Sequence, residues 1–268
     1  MKDTKASGNQ KKAPAKTGAK VSTSKAAVKP SSKNQAAKTV KNTDKAAKPA
    51  VKQPATKTAD KAAASKAPVP ELRKGDYFKF GSYYQENSSK KTPIEWLVLK
   101  KSGTKVLLIS RYGLDCREYH NQKVGITWEN CDLRKWLNGE FLKSAFSAAE
   151  QKKIALTKLA NDSVNGTFGG NSTEDRVFCL SAAEADSLFK DNDSRKCVPT
   201  PYALGKGCEK NSENVINGIA CCCWWLRSPG VNQRYASVIY SAGKLGIFGF
   251  DVRDVRESAV RPALWVNL

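Results

Sequence analysis

The chain has 268 residues with a net charge of +21, 26% charged and 9% aromatic side chains. No stretch approaches the roughly 18 consecutive apolar residues of a membrane-crossing helix, which excludes that class of anchor. A balance this basic points toward polyanionic partners rather than cationic ones.

The composition is uneven. Residues 1–70 hold 17 Lys, 3 Asp and no Arg, a charge of +14, and contain no Phe, Trp, Tyr, Leu or Ile. A segment without large apolar side chains cannot offset the entropy of ordering, so a disordered, Lys/Ala-rich, low-complexity tail is expected there. Its lysines suit nucleic acid, anionic cell-wall polymer or acidic lipid, although Lys without Arg or aromatics gives attraction without base readout. The bland alternative is a soluble spacer. Met1-Lys2-Asp3-Thr4-Lys5 runs into polar sequence with no apolar stretch behind it, so the expected compartment is the cytoplasm. Residues 71–268 carry every aromatic and suffice for one α+β domain.

That domain opens with Gly75-Asp76-Tyr77-Phe78-Lys79-Phe80-Gly81, a short alternating strand between glycines. Ile94–Leu99 and Lys105–Ile109 flank Lys101-Ser102-Gly103-Thr104 and read as a β-hairpin, apolar on both faces and therefore central. Trp128, Leu133, Trp136 and Leu137 fall at helical spacing, with Asn138-Gly139 as the stop. Ser147-Ala148-Ala149-Glu150 and Ser181-Ala182-Ala183-Glu184 are capping boxes opening two more helices, the second after a strand-like Val177–Leu180. Residues 161–175 and 191–217 read as long loops. Strands return at Trp224–Arg227, which a Ser228-Pro229-Gly230 turn follows. Ala236–Tyr240 and Leu245–Phe250 form a second hairpin, and Val260–Val266 is a final strand. Strands at both ends with two to three helices between them predict a mixed or antiparallel sheet that both ends share.

Little in the chain assembles into recognisable catalytic chemistry. Eight cysteines include no C-x-x-C pair, and the single His120 makes a Cys/His zinc site a poor fit, so neither metal nor cofactor is expected. Cys221-Cys222-Cys223 on an apolar strand read as small buried hydrophobes, of which only Cys221 and Cys223 share a face. His120, in a polar loop, reads as exposed. Gly166–Thr173 is glycine-rich but lacks the Gly-Lys-Ser/Thr ending of a phosphate loop. Asp251, Asp254 and Glu257 alternate with Arg253 and Arg256, a self-neutralising stretch rather than a cation site. Trp96, Trp136, Trp225 and Trp265 are assigned to the core, and one of Trp224 and Trp225 is expected at the surface. Arg227 and Arg261 interrupt apolar strands and should be held by a carboxylate or by carbonyls.

Six spaced motifs carry a resemblance. Gly75–Gly81, Pro93-Ile94-Glu95-Trp96, Leu107-Leu108-Ile109-Ser110, Leu133–Asn138, Trp225–Gly230 and Val260–Leu264 occur in an order similar to a bacterial family known as domain-of-unknown-function family 6273, over residues 75–268. More distantly, the layout resembles C-type-lectin-like domains of formylglycine-generating enzymes and of phage and bacterial variable proteins. That resemblance implies a C-type-lectin-like fold that displays an irregular C-terminal segment, which a diversity-generating retroelement rewrites in the variable proteins. The calcium-binding tripeptides of sugar-binding lectins are absent, and no cysteine pair matches that of the formylglycine-generating enzymes.

The favoured function is therefore a non-enzymatic binding and display domain for an unknown protein or glycan ligand. Its surface is the segment 231–256, with Arg234, Tyr235, Tyr240, Phe248, Phe250 and Arg253 as contact residues. The basic tail would tether it to a polyanion. The alternatives are a nucleic-acid-associated protein acting through the tail, and an enzyme related to the formylglycine-generating enzymes.

Overall fold

Antiparallel strands at both ends of the domain enclose short helices, an α+β arrangement. The computed structural model describes residues 71–254, 256 and 258–268. The tail expected at 1–70 lies outside the described residues, as do Val255 and Glu257.

Strands β1 (Tyr77–Tyr84), β2 (Lys91–Ser102) and β3 (Lys105–Ser110) form a meander, with Gly103-Thr104 as the tight turn between the last two. After β4 (Asp115–Cys116) and a 3₁₀ turn (Trp128–Asn130), one helical run continues from α1 (Asp132–Trp136) through a π-helical segment (Leu137–Phe141) into α2 (Leu142–Ala145). Helix α3 (Ala148–Lys153) follows. The ribbon of β5 (Thr157–Leu159) and β6 (Thr173–Asp175) comes next, then α4 (Ala182–Leu188), α5 (Asn192–Arg195) and α6 (Pro201–Gly205). A second ribbon, β7 (Asn211–Ile216) and β8 (Ile219–Cys221), precedes β9 (Cys223–Pro229), β10 (Tyr235–Ile239), β11 (Leu245–Asp251), β12 (Ser258–Val260) and β13 (Ala263–Asn267).

Two larger sheets result. One has the order β1-β2-β3-β13, antiparallel throughout, so the first and last strands share a sheet but lie on its opposite edges. The other has the order β11-β10-β9-β12-β4, antiparallel except where β12 runs parallel to β9. The hairpin of β2 and β3 sits centrally in the first sheet because both of its faces are apolar. Both capping boxes form, with Ser147 and Glu150 opening α3 and Ser181 and Glu184 opening α4.

Six sequence expectations need correction, the smallest being the loop expected at 161–175, whose last three residues form β6. The helix does not stop at Asn138-Gly139. Asn138 instead uses its side chain as a clamp, accepting from the amides of Arg176 (2.8 Å) and Val177 (3.2 Å) and donating to the Val177 carbonyl (2.9 Å). The helix widens into the π-helical segment beside that clamp. Val177–Leu180 is extended but makes only one bridge, between Phe178 and Ala263. The expected loop at 191–217 contains α5, α6 and β7, because Asp191 and Thr200 cap α5 and α6. Ser228-Pro229 remains in β9, and the turn begins at Gly230, whose amide donates to the Tyr235 carbonyl (2.7 Å). Val260–Val266 is two strands, not one: the chain crosses between the sheets at Arg261-Pro262, where proline removes a ladder donor.

The core joins both sheets. Trp96, Trp128, Trp224 and Trp225 are fully buried, and Phe141 and Phe146 of the helical run and the turn after it pack against Tyr83, Trp96 and Phe80. Among the described residues no helix is long and apolar enough to cross a membrane.

Candidate functional site

The segment 231–256 is mounted on β9. Successive residues of a strand face opposite ways. Trp224 packs on Phe189 on one side, with its indole N–H donating to the Arg195 carbonyl (3.0 Å). Trp225 packs on Tyr119 on the other and donates to the Arg117 carbonyl (2.9 Å). Both are buried, so neither tryptophan reaches the surface as one was expected to; each face of β9 is covered. Arg227 is buried and gripped by the Glu184 carboxylate through both guanidinium ends, and it also donates to the carbonyls of Cys179 and Ala160 (both 3.1 Å). Glu184 therefore serves twice, as the capping-box acid of α4 and as the Arg227 partner. Arg261 donates to the carbonyls of Ser110 (3.0 Å) and Arg195 (3.1 Å) and lies against Trp224 and Phe189. Trp96 is sealed in and donates to the Phe80 carbonyl (2.7 Å), Trp136 lies beneath the Arg117 guanidinium, and Trp265 is half-buried.

The six candidate contact residues do not form one site. In a regular strand Phe248 and Phe250 would share a face. Gly249 lies between them at φ +75, and a Cβ there would fall 2.2 Å from the Ala236 carbonyl oxygen. The resulting bulge breaks the register opposite Ser237 and separates the two phenylalanines. Phe250 turns inward onto Tyr240 and Trp225. Phe248 turns outward and is 65% exposed.

Two neighbours join Phe248 outside. The Val231 amide donates to the Phe248 carbonyl (2.9 Å), Thr167 donates through its hydroxyl to the Val231 carbonyl (3.1 Å), and Gln233 donates to the Phe168 carbonyl (3.2 Å). These bonds bring Phe168 (56% exposed) and Val231 (49%) to the same edge. Phe168 was missed in the sequence reading. The available signal was a lone aromatic in an Asn/Gly/Thr loop, with no large apolar residue next to it to share a core face. Arg234 is exposed nearby, and Tyr235 is half-buried against Gly230.

On its inner side the segment borders two clefts. Phe250 and Ser241 line one of about 550 Å³, together with Glu209, Glu213 and Cys222. Arg253 lines a shallower one of about 410 Å³ with Glu118, Asn121, Asp251 and Arg256. In that second cleft Lys123 pairs with Asp251 (2.9 Å), and the Arg253 amide donates to the same carboxylate (3.1 Å). Burial works against ionisation of Asp251, but these two donors outweigh it and hold the carboxyl below its usual value. A third cleft, of about 490 Å³, has Cys116, Arg117, Asp132, Trp136 and Lys206 in its wall.

His120 is buried, not exposed. Its Nδ1 lies 2.8 Å from the Asp132 carboxylate, without hydrogen-bond alignment, and its amide donates to the Val252 carbonyl (2.8 Å). That bond to Val252, just past the end of β11, and the Asn121 amide's bond to Asp132 (3.2 Å) hold the loop in. Burial pushes the Cys131 thiol up to about 12, and desolvation likewise raises Cys179, so both remain protonated. Among the described residues no group of three or more His, Cys, Asp or Glu side chains is placed to hold a metal ion.

Residues 103–268 match the model of a family described as domain of unknown function DUF6273. The chain belongs to that family. The DUF6273 match covers β3 to β13 and therefore the whole of the surface above. The motifs at Gly75–Gly81 and Pro93–Trp96 lie before it. No curated protein and no solved structure matches the chain.

Proposed function

We propose that this DUF6273 domain is a non-enzymatic binding domain that takes a protein ligand on the edge formed by Phe168, Val231 and Phe248. One observation carries the reading: three large apolar side chains are exposed on segments hydrogen-bonded to one another, Phe248 on the bulged strand β11, Val231 in the turn after β9 and Phe168 in the loop between β5 and β6. Isolated exposed apolar residues are ordinary, but a contiguous group rimmed by polar side chains marks interaction surfaces. Aromatic and Arg residues supply most of the energy at such surfaces. A C-type-lectin-like fold is part of the proposal. It is supported by the first and last strands sharing one sheet and by the segment 231–256, a bulged hairpin of β10 and β11 with its flanking turns, lying between β9 and β12 in the chain. The Lys-rich tail would then tether the domain to a polyanion, with attachment that weakens steeply between 50 and 200 mM salt.

The test is a peptide-display selection against the full chain. The reading expects enriched peptides whose affinity falls about tenfold or more in the Phe168→Ala, Phe248→Ala double variant. The thermal transition of that variant should be unchanged. Enriched peptides that bind the double variant equally well would sink the reading. Selective retention on immobilised glycans instead would reassign the ligand class.

A further inference from the structure

Four of the eight cysteines come from distant parts of the chain into one buried row. Cys116 belongs to β4, Cys197 lies between α5 and α6, Cys208 follows α6, and Cys222 sits at the break between β8 and β9. Their exposures are 5%, 0%, 5% and 1%. The Cys116 thiol interacts with Cys208, Cys208 with Cys222, and Cys222 with Cys197. The backbone fixes the Cys197–Cys222 end of this order. The Cys222 amide donates to the Cys197 carbonyl (2.8 Å), and its thiol approaches the same oxygen (3.5 Å). Thr200 donates to the Gly113 carbonyl (2.9 Å), and Gly113 donates to the Val198 carbonyl (3.0 Å), which ties the α5–α6 region to the chain entering β4.

This row was unexpected. Read as one strand, Cys221 to Cys223 allows only Cys221 and Cys223 to converge. The strand is interrupted at Cys222, which turns its sulfur toward Cys208 and Cys197.

We propose that Cys116–Cys208 and Cys197–Cys222 are the sites of two disulfides that close when the protein meets a peroxide. Thiols hydrogen-bonded in the order 116, 208, 222, 197 have one pairing of neighbours that leaves none over. Joining the middle two, Cys208 and Cys222, would strand both ends. The row also has one cysteine per pair in a cleft wall, Cys116 in the 490 Å³ cleft and Cys222 in the 550 Å³ cleft. For each bond, the sulfur of the cleft-lining cysteine takes an oxygen from hydrogen peroxide, releasing one water and leaving a sulfenic acid. The other thiol of the pair then attacks that sulfur and displaces the oxygen as a second water. Two thiols lose two electrons and two protons, and one peroxide is reduced to two waters. Hydrogen bonds along the row and burial raise Cys116 and Cys222, and the same hydrogen bonds lower Cys208 and, against burial, Cys197, which makes Cys208 and Cys197 the attacking thiols of the second step. The bonds would staple α5, α6 and the β7–β8 ribbon to β4 and β9. Among the described residues no group of three or more His, Cys, Asp or Glu side chains is placed to hold a metal ion, which separates this arrangement from a tetrahedral metal site.

The experiment treats the reduced, folded full chain with hydrogen peroxide. Remaining thiols are alkylated after unfolding, and tryptic peptides are mapped without reduction. The proposal expects four of eight thiols lost. One cross-link should join Tyr112–Arg117 to Gly207–Lys210, and the other Cys197–Lys206 to Asn211–Arg227. The last peptide holds three cysteines, so a C221S/C223S variant must give the same second cross-link. The thermal transition should rise on oxidation and return with dithiothreitol. C116S should lose the first cross-link and keep the second; should it fail to fold, quantitative mapping of the native chain still decides. No cross-link, a Cys197–Cys221 or Cys208–Cys222 bond, or stoichiometric zinc protecting the four thiols would each overturn the proposal.

Discussion

Strand β9 and the outer edge of β11 lie two strands apart in one sheet, yet they are built on opposite principles. Along β9, Trp224, Trp225, Leu226 and Arg227 are all buried, and both indole N–H groups and both terminal nitrogens of the Arg227 guanidinium have acceptors. Along the outer edge, a bulge turns Phe248 away from any core neighbour. One strand holds its place through buried area and a doubly used carboxylate. The other turns one of its two phenylalanines to the solvent side. Such a division lets the surface change without touching what supports it.

The comparison can be broken most sharply at Arg227. Arg227→Ala leaves Glu184 without its partner and opens a cavity under Phe178, and it should cost about 3–5 kcal/mol, read as a lower urea midpoint. Glu184→Gln at the other end should cost less, because the amide keeps one acceptor. Next is Gly249→Ala, which forces a side chain into a left-handed backbone against the Ala236 carbonyl. A loss of about 1–3 kcal/mol is expected, with Phe248 drawn inward as the bulge is relieved. The same change at an exposed turn glycine such as Gly166, with nothing near its Cβ, tests strain without a clash.

Acid should act mainly at the rim. Asp251 and Asp132 are held below their usual values despite burial, Asp251 by Lys123 and the Arg253 amide, Asp132 chiefly by the Asn121 amide and His120. Their stabilising contribution is present above the unfolded carboxylate value of about 4 and is lost as pH falls through the lower folded values. Asp115 runs the other way, since burial raises it and protonation relieves the folded state. Urea midpoints from pH 6 to pH 3 should therefore decline, and Asp251→Asn should flatten the decline. The smallest stability effect belongs to Phe248→Ala, within about 0.5 kcal/mol. A cost comparable to that of Arg227→Ala would show Phe248 to be core, and the contrast between the two strands would disappear.

Local signals in the sequence translated well. The hairpin of β2 and β3, both capping boxes and the hairpin of β10 and β11 are set by residues within a few positions of one another. Contacts between distant residues did not translate. Asn138 looks like a helix stop until Arg176 and Val177 are placed beside it, and His120 looks exposed until Val252 covers it. The candidate surface was legible as a segment but not as a set of side chains. Alternation puts Phe248 and Phe250 together, and only the backbone at Gly249 shows that they part. Cys222 was hidden for the same reason: a one-residue break in a strand leaves no mark in composition.

The crossing at Arg261-Pro262 has a kinetic consequence. Strand β12 stands between β9 and β4, pairing Val260 with Asp115, and β13 completes the other sheet by pairing Asn267 with Lys105. Ten residues thus finish two sheets at once, each through partners far away in the chain. Closing such long loops before any contact rewards them makes for high contact order and a slow folding rate. Until that step, β4 has no strand to pair with and the β3 edge stays open. A nascent or refolding chain would therefore expose a template for wrong pairing for as long as those ten residues remain undocked.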